Sequence, residues 1–255
     1  MAGFRCSKVP RTMEDTAYAE MYAQEDVHWW FRGRRAVIWS LLTHVTLPSP
    51  ARVLDAGCGT GRNLAEFGRL GSIAGIDPSA SAVAFCHERG FDAVEQAGIE
   101  SLPFADDSFD LIFALDVLEH VEDDLGALRE LRRAGDAGSV LLLTVPAYQW
   151  MWTEHDVQLH HVRRYTLRAL RRQVIAGGFE PITWSYFNTF ALPLVAAARL
   201  TERFSDRSGQ TDLDRTPAML NRVLERPLHL EARLIERGVS LPAGVSIGMV
   251  CRNPG

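Results

Sequence analysis

A chain of 255 residues, 47% hydrophobic and 23% charged, has the composition of a soluble globular protein, with enough apolar side chains for one large α/β domain and an appendage. Its net charge of −5 supplies no basic footprint, which argues against nucleic acid as a partner. Cys6, Cys58, Cys86 and Cys251 have neither paired nor metal-ligand spacing and suit reduced thiols in a cytoplasm, and residues 1–20 carry acids without the apolar segment that a signal peptide needs.

Residues 13–45 are helical in pattern and contain an aromatic and basic cluster, His28-Trp29-Trp30-Phe31-Arg32-Gly33-Arg34-Arg35. Residues 52–56 read as the first strand. It carries Asp55 near its end and runs into Gly57-Cys58-Gly59-Thr60-Gly61, where the absence of β-carbons lets backbone lie against a ligand before a helix over 61–70. A second strand, 73–77, ends in Asp77, twenty residues after Gly57, where nucleotide-binding α/β folds place the acid that takes ribose hydroxyls. A dinucleotide turn needs glycine at position 62, which is Arg62.

The alternation continues with a helix over 79–89, a short strand at 92–95, strand 109–115, an amphipathic helix at 122–134 and strand 139–145. A helix at 166–176 and strands at 179–187 and 245–251 complete it. The unbroken apolar runs predict parallel strands covered on both faces. Between the last two strands, 188–243 holds an apolar run from Phe190 to Leu200, a polar stretch from Ser205 to Pro217 that is expected to be mobile, and an amphipathic segment interrupted by Pro227. The apolar run is far shorter than the ~20 residues that span a bilayer, which leaves peripheral membrane contact or the roofing of a substrate.

Leu102-Pro103-Phe104-Ala105-Asp106-Asp107-Ser108-Phe109-Asp110, followed by Asp116-Val117-Leu118-Glu119-His120-Val121, is similar to segments of the ubiquinone-biosynthesis and methyltransferase-11 type of small-molecule methyltransferase. With Val53 to Gly61, which resembles motif I of the class I S-adenosylmethionine (SAM)-dependent methyltransferases, the likeness covers about residues 50–180. The resemblance implies a Rossmann-like, seven-stranded, mostly parallel sheet in the order 3-2-1-4-5-7-6 with helices on both faces. It divides the chain into an N-terminal helical lid (1–45), a SAM-binding domain (46–187 and 244–255) and a helical insertion covering the acceptor site (188–243).

The implied activity is transfer of a methyl group from SAM to an oxygen, or in second rank a nitrogen or carbon, of a small-molecule acceptor in the cytoplasm, with S-adenosylhomocysteine as product. On this likeness Asp55 receives the methionine ammonium, Gly57, Gly59 and Gly61 admit the sugar and sulfonium portion, and Asp77 accepts both ribose hydroxyls. Family members often place an acid near the adenine amine, but the aligned position is Gly98, so that contact passes to backbone around Ile99 or to Gln96. Leu115 offers a carbonyl near the methionine end, with Asp116 and His120 behind it. Arg34 is the arginine assigned to the SAM carboxylate, beneath a closing cluster of Trp29, Trp30 and Phe31; plain core packing is the alternative for those aromatics.

The segment from Glu154 to Tyr165 follows the fifth strand, on the carboxyl edge where open α/β sheets bind ligands. Its three histidines and an acid lack zinc-site spacing, and no metal is expected. His155 or His160 is the candidate general base, with Arg163, Arg164 and Tyr165 shaping the pocket. The competing reading is a structural salt bridge between Asp156 and an arginine. Two functional alternatives stand beside methyl transfer to a small molecule: a membrane-associated methyltransferase on a lipid-like substrate, and a non-catalytic SAM-binding protein.

Overall fold

The computed structural model describes residues 15–202 and 217–255. Helices α1 (Asp15–Gln24) and α2 (Trp29–Leu42) precede β1 (Ala51–Ala56), α3 (Arg62–Phe67), β2 (Gly71–Asp77), α4 (Ala80–Glu88), β3 (Val94–Gln96) and β4 (Phe109–Leu115). Then come α5 (Asp124–Ala134), β5 (Gly135–Pro146), α6 (Glu154–Gln158), α7 (Leu167–Ala176), β6 (Glu180–Phe187), α8 (Leu192–Glu202), α9 (Ala218–Glu236) and β7 (Ser246–Arg252). The helical pattern over 13–45 is two helices, because the chain turns at residues 25–28 and His28 caps α2 by accepting from the Trp30 amide. Most of the polar stretch from Ser205 to Pro217 lies outside the described residues.

The seven strands form one sheet in the order β3-β2-β1-β4-β5-β7-β6. β1, β2, β3, β4 and β5 are parallel, and β7 runs antiparallel between β5 and β6. All the parallel strands therefore point their carboxyl ends toward one edge, where the connecting turns can converge on a ligand. That order and the helices on both faces agree with the expectation from the sequence.

Each face of the sheet is sealed by its own apolar layer. On one side Leu128 and Leu131 of α5 and Leu170 and Val174 of α7 pack over Ile112, Leu141 and Leu143. On the other, Val37, Ile38 and Leu41 of α2 join Leu228, Ala232 and Ile235 of α9 over Val53, Phe113 and Phe187, with Phe67 of α3 stacked on Phe113 at 4.5 Å. Fully burying side chains of this size contributes roughly 1.5–3 kcal/mol each. Of the segment expected as a lid, α2 is thus part of the core. Its approach to α9 is so close that a β-carbon on Gly33 would lie 2.3 Å from Leu228 Cδ1. Pro227 is accommodated within α9.

Candidate active site

At the end of β1 the chain turns through residues with φ of 86° at Gly57, 53° at Gly59 and 83° at Gly61, a region that favours glycine. Gly57 is also confined sterically, since a β-carbon there would lie 2.4 Å from Val117 Cγ2. The amides of Gly57 and Cys58 both donate to the Ile76 carbonyl at 2.8 Å, which ties the turn to the end of β2. Asp55 lies beneath this turn with no exposed surface, and neither of its carboxylate oxygens has a hydrogen-bond partner. Burial pushes its pKa up to about 8, with Arg34 pulling the other way. A carboxylate desolvated without a donor is costly, so this position calls for a cation.

Asp77 is nearly as buried but well satisfied. It accepts from the Gly59 amide at 3.0 Å, from the Ser79 amide at 2.9 Å and from the Tyr18 hydroxyl at 3.1 Å. Ser79, rather than Asp77, caps α4 by accepting from the Ala82 amide. Asp77 therefore joins the glycine turn, α4 and α1 at the end of β2.

Tyr18 belongs to α1, which lies across the glycine turn. A β-carbon on Gly59 would meet Met21 Cε at 2.8 Å, and Tyr22 stacks on Phe85 of α4 with centroids 4.7 Å apart. Just after the helix, buried Glu25 accepts from the Thr60 hydroxyl and pairs with Arg89 at 2.6 Å, while its carbonyl accepts from Arg35 at 2.9 Å. These contacts fasten α1 to the turn and to α4. Tyr18 and Glu25 are site residues that the sequence reading did not single out; the helical pattern was visible, but nothing in it says where α1 docks.

The basic cluster is dispersed over separate tasks. Arg34 pairs with Asp116, which also accepts from the Thr144 hydroxyl at 3.0 Å, and the buried Arg34 Nε has no partner. Arg32 pairs with Glu225 of α9 at 3.1 Å. Trp30 stacks on Phe187 at 5.8 Å and Trp29 meets Phe190 edge-on, so both indoles pack the junction of α2 with β6 and the chain that follows it. Ile99 is buried in the turn after β3, and Leu115 is buried at the end of β4.

In the loop after β5, Asp156 has no exposed surface and accepts from the Thr153 amide at 2.7 Å, from Arg164 at 2.8 and 3.0 Å, and from His161 Nδ1 at 2.7 Å. Burial alone would raise its pKa, but His161 and Arg164 outweigh it and hold the group well below the usual carboxylate range. The structural salt bridge weighed for this loop is thus present, between Asp156 and Arg164. Arg163 pairs with Asp124 at 3.0 Å, and buried Tyr165 donates to Asp124 at 2.8 Å. His160 lies in the turn after α6, in the left-handed region with φ of 57°. His155 lies in α6, its side chain outside the described residues. The histidine that this network orients is His161, whose ring meets His120 edge-on at 4.7 Å. Beside them Glu119 is fully buried, with both carboxylate oxygens unpartnered. A depression lined by Thr46, Pro48, Asp110 and Asp136 lies at the opposite, amino-terminal edge of the sheet and touches none of these groups.

Strand order, glycine turn and the acids closing β1 and β2 define the class I SAM-dependent methyltransferase fold. Residues 54–143 match the family model described as a methyltransferase domain, and that match, the fold and the relatives below support a class I SAM-dependent methyltransferase. Cycloartenol-C-24-methyltransferase 1 of Oryza sativa is 27% identical over 117 residues, which are 41% of this chain and 32% of that protein. The Probable S-adenosylmethionine-dependent methyltransferase Rv3030 of Mycobacterium tuberculosis is 27% identical over 160 residues, 61% of this chain and 57% of that protein. The chain therefore spans less than three-fifths of either relative. In fold it resembles the Haloferax volcanii chain solved in complex with the Trm112 methyltransferase activator, with a TM-score of 0.61 at 17% identity over 94% of this chain and 96% of that one.

SAM is the cofactor of this family. The residues fit it: the orphaned Asp55 carboxylate needs a cation such as the methionine ammonium, and at three positions of the turn beside it left-handed glycines present no β-carbon.

Proposed function

We propose that this protein transfers the methyl group of SAM to an oxygen of a small-molecule acceptor. The observation that carries the SAM half is Asp55, a buried acid without a donor set at the foot of the glycine turn. Asp55 holds the ammonium, Asp77 takes the ribose hydroxyls, Gly57, Gly59 and Gly61 let backbone approach, and Ile99 and Leu115 supply backbone contacts to adenine and to the methionine end. Arg34, held by Asp116, keeps its free Nε for the cofactor carboxylate. Bound SAM supplies an electrophilic methyl on a sulfonium. The chain's own work is alignment, since placing nucleophile and methyl in line can supply up to ~7–11 kcal/mol of the barrier in favourable intramolecular cases.

The acceptor enters at the carboxyl edge between the 147–165 loop and the start of the insertion. His160 or His155 takes the acceptor proton where the hydroxyl must lose it. A small acceptor in the cytoplasm suits the net charge of −5. No helix among the described residues is long and apolar enough to cross a membrane. Leu194 of α8 is 68% exposed, which favours peripheral contact with a lipid-like substrate as the second reading.

Calorimetry with SAM, S-adenosylhomocysteine and NAD tests the cofactor, with binding of the first two expected and equal or tighter binding of NAD sinking the reading. Mass spectrometry of SAM consumption against a metabolite extract tests the reaction. A methylated oxygen on a small molecule is the expected result, and SAM binding without turnover would leave a non-catalytic SAM-binding protein.

A further inference from the structure

Glu119, His120 and His161 each present one donor atom to a common point, all within 4.8 Å of one another. Glu119 and His120 sit on the short turn after β4, and His161 reaches them from the loop after β5. Outside the contacts assigned to SAM, this is the one place among the described residues where at least three such groups converge.

Glu119 makes the cluster more than a coincidence of polar residues. It is fully buried, and neither oxygen has a hydrogen-bond partner. Protonation does not resolve this, because a neutral carboxyl carries an O–H that also needs an acceptor. Asp116 adds a like charge, and Glu119's own backbone amide, Arg34 and Arg164 favour the charged form without reaching hydrogen-bond geometry. A buried acid in that state lacks a ligand.

The histidines are dressed as metal ligands are. His161 engages Asp156 through Nδ1 at 2.7 Å, which fixes the tautomer and leaves Nε2 with its lone pair. Asp156 is in turn locked by Arg164 and Thr153. His120 hydrogen-bonds the Leu159 backbone and keeps an exposed edge, which gives an ion a way in.

We propose that Glu119, His120 and His161 bind a divalent transition-metal ion at the acceptor edge of the sheet. Two imidazoles and one carboxylate suit Zn²⁺ and its first-row neighbours better than Mg²⁺ or Ca²⁺, which take all-oxygen sets. Donors at about 2.1 Å from one such ion and at tetrahedral angles lie about 3.4 Å apart, so the cluster closes by up to about 1.4 Å on binding. Three protein ligands leave coordination positions open toward the exposed side. An acceptor hydroxyl bound there would lose its proton more readily, a consequence that rests on the methyl-transfer reading, whereas binding of the ion does not.

The test uses the full chain stripped with chelator and titrated with Zn²⁺ by calorimetry, with Mg²⁺ for comparison and Co²⁺ followed by visible absorption. One Zn²⁺ per chain is expected, with Mg²⁺ much weaker and Co²⁺ giving the intense bands of a site with fewer than six ligands. Glu119→Gln and His161→Ala should each weaken Zn²⁺ at least about 100-fold, and Asp156→Asn about 10–100-fold. His229→Gln, which breaks a surface pair with Glu225, should change nothing and controls for adventitious binding. Glu119→Gln keeps the shape and removes the carboxyl ligand, so it decides the matter if His161→Ala fails to fold. Absence of stoichiometric Zn²⁺ binding, or equal affinity in Glu119→Gln, would overturn the site. SAM affinity is measured on the same variant: if it is retained while the metal result fails, only the metal proposal falls.

Discussion

Replacing Asp55 by asparagine keeps the shape at the end of β1 and removes its charge, and the two effects expected have opposite signs. In the free protein the Asp55 pKa rises from 3.8 to about 8, chiefly through burial. A raised carboxyl pKa means that the folded state binds a proton that the unfolded chain releases. Its contribution to stability is therefore lost as pH climbs from about 4 to about 8, by about 1.4 kcal/mol per pH unit, and is flat above. By pH 7 the accumulated cost is about 4 kcal/mol. Asparagine carries no such slope but leaves an unpartnered amide, at about 1–3 kcal/mol. The Asp55→Asn chain should thus be more stable than the parent at pH 7 by roughly 1–3 kcal/mol, seen as a melting temperature higher by a few degrees. Its SAM affinity should fall about 10–150-fold, the worth of a charge-assisted contact.

Because SAM binding ionises Asp55, the parent's dissociation constant should rise about tenfold per unit as pH falls below about 8, while the variant's stays flat. Calorimetry in two buffers of different ionisation enthalpy should report close to one proton released by the parent and none by the variant. An Asp55→Asn protein that binds SAM as tightly as the parent, or that melts lower, would refute the reasoning.

Asp77→Ala should weaken SAM by about 1.5–3 kcal/mol in a calorimetric titration; undiminished affinity would reduce Asp77 to its contacts with Tyr18, Gly59 and Ser79. If α1 closes over SAM, hydrogen exchange should slow across residues 15–35 when S-adenosylhomocysteine binds, with Glu25→Gln reducing that protection; unchanged exchange from Trp29 to Arg35 would leave the aromatic cluster as packing alone. His155→Ala and His160→Ala, made separately, should include one variant whose turnover falls by roughly 10²–10⁴-fold with SAM affinity intact. Parental turnover in both would place the base elsewhere or show that positioning suffices.

Much of the cofactor half was legible because its constraints are local. An apolar run, an acid and alternate glycines fix a strand, a turn and the backbone's exposure within nine residues, and Asp77 falls at a distance set by one βαβ unit. The strand order came from family likeness, since nothing in the individual runs says that β7 enters between β5 and β6. The docking of α1 was not legible: periodicity gives a helix but not the surface on which Tyr18 and Met21 come to rest. Among the histidines of the loop after β5, spacing could not say which one faces Asp156, and the left-handed turn at His160 hands that place to His161. Glu119 was passed over because its motif served as a family marker, and its lack of a partner exists only once the chain is folded.

The near-contact of Gly33 with Leu228 bears on how the two ligands come and go. It joins α2 to α9, and the stacking of Trp30 on Phe187 anchors the same helix to β6, so these elements travel together if they travel at all. α1 is held across the glycine turn by polar contacts through Tyr18 and Glu25 and by the stacking of Tyr22 on Phe85, and it meets α2 at residues 25–28. On the reading proposed above, the cofactor's door is one ten-residue helix on a short hinge, separate from the elements that would cover the acceptor. If α1 opens alone, spent cofactor is exchanged while the acceptor side stays shut, which would permit successive turnovers on one acceptor without letting it go.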